Sequence, residues 1–528
     1  MPAPWFIISS REVNMWILAL ANLAATIPQG WPMFRYDQAR TGFCPARANF
    51  SSMPQTKAEW IVWDEGDIVY ASPVGADFNS DGWHDVLVGS YGMMGYPITD
   101  VYRGYNGSMI WASPVYTSEG CYHGSPALMD VNDDLIPEVF VPIVEFGALY
   151  ALNGANGSML WAAYIGTDYY SSPLVTEEDF GGRVYVCNDL GVLYCMSATT
   201  GSVLWSHIAD FGGTCYSAPS AGDVNGDGQD ELVYTCGTVL YVVSSSGTEL
   251  WNTSTGDIFT STAALVDRDG DGDSEMWVYC GGAGYIKVFE YGNPTPVINV
   301  FVGSSAGILD WPPPPAVADV NADGVPDAVM HHYNGVTMID GVSGLVAWNT
   351  FAQELYGPVI MANLDFDTTL EIIAVGRPPY DYYRCKVEMY QDNGSLAWQW
   401  WTSGPYDDEV EGEAILINVD SDTEYEIAAV DYSCWTVVLD GKPLSAEETT
   451  DGPVGFSLSG NILSGVLLLS SPGPGHAFLY DITGRQVSDF CLAEGENRLR
   501  VGELGPGTYF LRAVSGETCG EFKLLKAD

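Results

Sequence analysis

The stretch that decides the fold is Asp223-Val224-Asn225-Gly226-Asp227-Gly228-Gln229-Asp230-Glu231, followed at once by the apolar run LVYTC. Oxygen-bearing side chains stand at positions 1, 3, 5 and 9, and the run after them has the length and composition of a buried strand. The same frame occurs at Asp77, Asn79, Asp81 and Asp85, and again at Asp130, Asn132, Asp134 and Glu138. It returns at Asp267, Asp269, Asp271 and Glu275, then at Asp319, Asn321, Asp323 and Asp327. Two looser copies hold Asn363, Asp365, Asp367 and Glu371, and Asn418, Asp420, Asp422 and Glu426. An eighth, degenerate copy fits the gap before Asp223, where Ser172-Pro173 aligns with Ser72-Pro73 and Ser125-Pro126 but EEDFGGR follows.

Each loop leads into a short apolar strand, a second strand, a turn such as Asn106-Gly107-Ser108 or Asn156-Gly157-Ser158, and a tryptophan. The Gly supplies the positive φ that a tight hairpin needs. The closing tryptophans are Trp111, Trp161, Trp205, Trp251, Trp348 and Trp398, and the fifth unit has none. Four-stranded units recurring at this spacing predict an all-β fold, an eight-bladed β-propeller. A seven-bladed ring, with the degenerate third unit as an insertion, is the alternative. The last unit stops after CWTVVLDGKP without an outer strand, while an orphan strand Glu59-Trp60-Ile61-Val62-Trp63 precedes the first unit. The amino-terminal strand is therefore expected to complete the last blade.

Composition agrees. The chain has 528 residues, 59 Gly and 30 Pro, which suits many short strands joined by turns. Against 68 Asp+Glu stand 19 Lys+Arg, a formal charge of −49 that repels phosphate backbones and excludes nucleic acid as a partner. The apolar run Met15–Ala25 is too short to span a bilayer and reads as the core of a signal peptide over residues 1–26, with Arg11 before it, although translation starting at Met15 or a buried strand is also open. No transmembrane span is expected once that segment is removed. Eleven cysteines cannot all pair; Cys187 with Cys195, across the turn NDLG, and Cys491 with Cys519 are the disulfide candidates.

Ligands at positions 1, 3, 5 and 9, a backbone carbonyl at 7 and a Gly at 6 make a cage for a hard cation, and calcium is the expected ion, up to seven per chain. Without one, the clustered carboxylates repel. The second loop has Leu135 at position 6, and the last two have Thr368 and Thr423. In the third unit Arg183 stands where it could replace the cation by pairing with Glu177 or Asp179. A second candidate site is aromatic: Tyr70, Tyr170, Tyr216 and Tyr356 hold equivalent positions before the inner strands, with His123 in the second unit. Meeting at one mouth of the channel they would stack on sugars; packed between blades they would be structural.

The loops, with their Ser-Pro lead-in and following strand, resemble the FG-GAP/VCBS repeats of integrin-like and bacterial extracellular propellers, over about three quarters of the chain. The closing tryptophans and Gly30-Trp31-Pro32-Met33-Phe34-Arg35 … Arg40-Thr41-Gly42 also resemble the pyrroloquinoline-quinone-type propeller repeat. Quinoprotein dehydrogenases carry adjacent cysteines at the cofactor, and this sequence has none. After the propeller, at residues 27–444, and a linker at 445–452, acidic loops vanish and residues 453–528 change character. Tyr480-Asp481-Ile482-Thr483-Gly484-Arg485 and Leu504-Gly505-Pro506-Gly507-Thr508-Tyr509 resemble the type A carboxy-terminal sorting domain of the type IX secretion system, although Ser471-Pro472 stands where an Asn-Pro turn is usual. The resemblance implies a small Ig-like β-sandwich whose partner is the type IX machinery, and a secreted or surface-attached protein.

A non-catalytic calcium-binding protein for extracellular glycans or proteins is the expected function. The alternative is a calcium-dependent polysaccharide lyase, which needs a basic residue beside a His or Tyr; Arg377, Arg384 and Lys386 near PPYDYY are the place to look. The match Gly303-Ser304-Ser305-Ala306-Gly307 falls between blades and not on a strand-to-helix elbow. His331-His332 ends a strand, where adjacent side chains face opposite ways, so one buried and one exposed His is expected.

Overall fold

The structure is a computed structural model. It describes residues 30–61, 71–89, 96–117, 124–144, 147–166, 170–177, 182–209, 215, 217–303, 314–332, 335–351, 357–365, 367–376, 386–401, 412–420, 424–430, 435–441, 457–461, 466–471, 474–481, 486–493, 495–500, 507–515 and 518–526. Two compact units result, Gln29–Pro443 and one containing Leu444–Asp528. Every described element is a strand or a turn, and among the described residues no helix is long and apolar enough to cross a membrane.

The first unit is an eight-bladed propeller. Blades 1 to 7 each contain four antiparallel strands in chain order from the axis outward, and in blade 7 Phe43–Arg47 adds a fifth, parallel strand inside Ile360–Asn363. The third unit, despite its degenerate loop, is a complete blade of Leu174–Thr176, Arg183–Cys187, Val192–Ser197 and Val203–Ile208, which removes the seven-bladed alternative. The eighth blade takes Ile415–Ile417, Glu426–Val430 and Trp435–Asp440 from the end of the unit and Gln55–Ile61 from its start. Inner strands of blades 1 and 8 touch, closing the ring.

Burial explains the two sequence patterns. Second strands such as Glu231–Cys236 and Glu275–Cys280 are buried at every residue because both sheet faces meet neighbouring blades. Outer strands such as Val203–Ile208 lie on the wide rim, and alternate between exposed and half-buried. The tryptophans dock one blade onto the next: Trp111 Nε1 donates to the carbonyl of Gly154 (2.6 Å), Trp161 to Ala198 (2.8 Å), Trp205 to Ser245 (2.9 Å), Trp348 to Asp392 (2.7 Å) and Trp398 to Phe50 (2.8 Å). Each indole of Trp111, Trp161, Trp205 and Trp348 lies against the turn Gly of the next blade; at Gly201 (φ 68°) a Cβ would come within 2.5 Å of the Trp161 ring. Trp60 plays this part for the eighth blade against Gly107, and Ile298 for the fifth against Gly344.

The Ser-Pro lead-ins also join blades. Ser72 N donates to Ser125 Oγ and Ser125 N to Ser172 Oγ, both at 2.9 Å, and Glu413 N donates to Ser72 Oγ at 2.9 Å.

The disulfide expectation for Cys187 and Cys195 fails: both are buried and not bonded to each other, because the hairpin register sets Cys195 opposite Tyr185 and Cys187 opposite Leu193. Cys491 likewise forms no disulfide. In the carboxy-terminal unit it pairs with His476, which pairs with Val514, which pairs with Cys519, so three strand spacings, about 14 Å, separate the two cysteines. That unit holds two antiparallel sheets, one of three strands including Val466–Ser471 and one of four including Gly475–Asp481 and Gly507–Ser515. Ala477, Leu479, Leu492 and Leu499 are its buried apolar side chains among the described residues.

Candidate metal centres

The acidic loops join the inner strand of a blade to its second strand. In all seven the ninth residue is the first of the second strand and is buried, and one of its carboxylate oxygens accepts the backbone N–H of residue 2. Asp85 takes Phe78 (3.1 Å), Glu138 takes Val131 (3.0 Å), Glu275 takes Arg268 (2.6 Å) and Glu426 takes Val419 (2.8 Å). The strand thus carries its first side chain back under the loop.

Five loops share one further geometry. The first-position Asp77, Asp130, Asp223, Asp267 and Asp319 each accept the N–H of residue 6 on Oδ2, at 2.7–3.2 Å. Residues 4 and 6 then lie in the left-handed region, Gly226 and Gly228 in the fourth blade, Ser80 and Gly82 in the first, Ala322 and Gly324 in the sixth. Leu135 adopts the same conformation (φ 71°) with its side chain 78% exposed, so the lack of Gly does not change the loop. Residue 5 caps the turn: Asp81 Oδ1 accepts Trp83 N and Asp227 Oδ1 accepts Gln229 N.

The carboxylates crowd one another, and their mutual electrostatics are unfavourable. Oδ1 of Asp85 and Oε1 of Glu371 are buried with no hydrogen-bond partner. Burial, helped by the neighbouring carboxylates, pushes Asp85 and Glu371 up to about 8, Glu231 and Glu275 up to about 7 and Asp327 up to about 6, and raises Glu138. Buried acids facing an acidic loop fit a divalent cation. Residues 1, 3, 5 and 9 would hold it: Asp77, Asn79, Asp81 and Asp85 in the first blade, Asp130, Asn132, Asp134 and Glu138 in the second. In the fourth, fifth and sixth the sets begin at Asp223, Asp267 and Asp319. The carboxylates of Asp267, Asp269 and Asp271 already bring oxygens within 4.8 Å of one another.

The last two loops depart from this pattern. Asn363 Nδ2 donates to the carbonyl of Asp367 (2.6 Å), although Asp365, Asp367 and Glu371 still converge. In the eighth blade Asp422 lies outside the described residues, while Asp420 and Glu426 converge with Asp440 and the ammonium of Lys57 stands between Asp420 and Asp440. The strand-end acids Asp440 and Glu290, which converges with Asp269 and Glu275, were missed by sequence reading. Their only signal is an acid closing the third strand, as in VLD and VFE. Arg183 Nη1, expected to replace the cation in the third blade, donates to the carbonyl of Ser245 in the next blade (2.9 Å).

Of the aromatic mouth, Tyr70, His123, Tyr216 and Tyr356 lie outside the described residues and Tyr170 is half-buried. So do Arg377, Arg384 and Ser304 to Gly307. Lys386 is buried, its Nζ 3.1 Å from Glu388 Oε1, and Glu388 Oε2 accepts the Tyr390 hydroxyl (2.6 Å). His331 is buried, as expected of one of the pair, and the side chain of His332 lies outside the described residues.

The segment Trp31–Arg47 has a role that its sequence did not disclose: it fills the axis and touches all eight blades. Carbonyls of Trp31, Pro32, Gln38, Ala39, Thr41 and Gly42 accept N–H groups from inner strands of blades 1, 2, 4, 5, 6 and 7. Arg40 Nη2 reaches the Pro173 carbonyl of blade 3 (2.9 Å). Glu413 of blade 8 takes Trp31 Nε1 (3.1 Å), Arg35 N (2.6 Å) and Arg35 Nη1 (3.3 Å). Arg35, Arg40 and Glu413 are all 0% exposed.

Residues 106–271, from the turn before the outer strand of blade 1 into the loop of blade 5, match the family of the outer membrane protein assembly factor BamB. That is a propeller-repeat likeness. No curated protein matches the chain. Among solved structures, a europium-containing methanol dehydrogenase is 12% identical with a TM-score of 0.55, covering 78% of this chain and 91% of that one. Quinohemoprotein alcohol dehydrogenases from Pseudomonas putida HK5 (12% identical, TM-score 0.55) and Comamonas testosteroni (13%, 0.53) each cover 80% of this chain and 82% of theirs. At these identities the likeness is one of fold. The residues here do not fit a quinone, since no two cysteines are adjacent and the described part of the axis is packed with the chain's own Trp31–Arg47.

Proposed function

We propose that the chain is a calcium-bound propeller working outside the cell as a non-catalytic binding protein for glycans or proteins, exported through its carboxy-terminal unit by the type IX system. The observation that supports the calcium reading is the five-fold repeat of one loop geometry, in which a buried ninth carboxylate lies under a loop carrying three further oxygen-bearing side chains. The chemistry of the cations supports binding over catalysis. Arg35 and Arg40 are locked in the axis, and Lys386 is buried against Glu388, so this lysine does not stand in a cleft as a lyase base. Recognition is left to the loops and the channel mouth around Tyr170. The two antiparallel sheets of the last unit, with the Tyr509 and Tyr480 strands paired, support its reading as a sorting β-sandwich.

EDTA is expected to lower the melting temperature and calcium to restore it. A glycan array with and without calcium, run beside a lyase assay on uronic-acid polymers, separates the functions: binding without unsaturated products supports the proposal, and turnover refutes it. Deleting residues 453–528 is expected to trap the protein in the periplasm.

A further inference from the structure

We propose that the acidic cage of the eighth blade is filled by an internal cation, the ammonium of Lys57, in the place where the other cages take a divalent ion, so that the seam closing the ring holds without metal. The inference rests on the calcium reading of the other loops. Oxygens of Asp420, Glu426 and Asp440 lie within 4.8 Å of one another, a spacing at which three carboxylates need a positive charge. Lys57 Nζ donates to Asp440 Oδ2 at 3.0 Å and to Asp420 Oδ2. The lysine is 26% exposed, and its two partners about as much, so the ammonium enters from the solvent side, over the buried Glu426.

The backbone delivers it. Lys57 is the extra residue of a β-bulge: Thr56 pairs with Leu439 and Ala58 with Val438, leaving Lys57 unpaired between them. Bulges re-aim a side chain. The same bulge recurs where the outer strand meets the third in blades 1, 2, 3, 4, 6 and 7, and its extra residue there is Ile110, Leu160, Leu204, Leu250, Ala347 and Ala397. A cation occupies this position in the eighth blade alone. It is also the blade whose outer strand comes from the other end of the propeller unit, so the Lys57 contacts tie the first strands of the ring to its last. Blade 5 shows the contrast. Asp269, Glu275 and Glu290 form the equivalent three-carboxylate corner, the outer strand has no bulge, and the nearest cationic contact of Asp269 is Arg268 at 4.0 Å.

The test is Lys57→Met in the full chain, with bound calcium counted by native mass spectrometry. The variant is expected to carry one more calcium ion than the wild type, and Lys57→Met with Asp440→Asn to lose it again. Equal counts in variant and wild type overturn the proposal. A wild type that binds no calcium at all refutes the reading of the other loops; the Lys57 proposal is then decided by the metal-free melt, supported if Lys57→Met melts lower and overturned if the two coincide. Should the variant fail to fold, hydrogen exchange on the wild type in EDTA decides. Amides of Gln55–Ile61 are expected to stay protected while those of residues 77–85, 223–231 and 267–275 lose protection, and equal loss at all four overturns the proposal.

Discussion

Gly201→Ala tests how blades are coupled. Gly201 has φ 68°, and an added Cβ would sit 2.5 Å from the ring of Trp161, whose Nε1 donates to the Ala198 carbonyl at 2.8 Å. Left-handed backbone costs an alanine about 1 kcal/mol. Displacing the indole forfeits a hydrogen bond of about 1 kcal/mol and some packing, about 1 kcal/mol more. The total is about 3 kcal/mol. At about 2.1 cal/mol/K per residue over Gln29–Pro443, that lowers Tm by roughly 3 °C. Gly256 is the control: φ is 81° and nothing lies within 4 Å of its Cβ, so Gly256→Ala should cost only the backbone share, about 1 kcal/mol. Trp161→Ala removes the obstacle, so adding Gly201→Ala to it should also cost only about 1 kcal/mol. Urea unfolding of the variants measures all of this. If Gly201→Ala costs no more than Gly256→Ala, the indole-on-glycine contact does not couple the blades.

In calcium-free protein, stability should fall as pH rises from about 4 to about 8. The buried ninth acids, at about 6 to about 8, hold protons that the unfolded chain has released, so each deprotonation in that window disfavours the fold. Melting in EDTA at pH 5 and pH 8 checks this; saturating calcium should remove the difference, and equal melts in EDTA would count against it. Glu413→Leu strands the fully buried Arg35 guanidinium and should destabilise by about 3–5 kcal/mol, whereas Arg35→Met with Glu413→Leu should cost less than that single change, as read by urea unfolding. Peptide mapping without reductant should find Cys187 and Cys195 unlinked and alkylated only after unfolding; a linked peptide would contradict the hairpin register.

Much of the propeller could be read directly from residues. The nine-residue frame, the Asn-Gly-Ser turns and the orphan Trp60 strand are local signals, and they set eight blades and the amino-terminal closure. The common loop geometry is local for the same reason: residue 1 takes the N–H of residue 6 and residue 9 that of residue 2 within one nine-residue frame. The misplaced disulfide shows the limit, because Cys187 and Cys195 are close in sequence but out of register in the hairpin.

Sequence by itself determined what one blade can form, since short-range periodicity and turn chemistry act within about fifty residues. Only tertiary structure decided what occupies the axis and which acidic loop meets a lysine. Trp31–Arg47 meets inner strands from Gly75 to Glu413, and Lys57 meets Asp420 and Asp440 more than 360 positions away. Such contacts are created by ring closure, which brings together charges that no local pattern links.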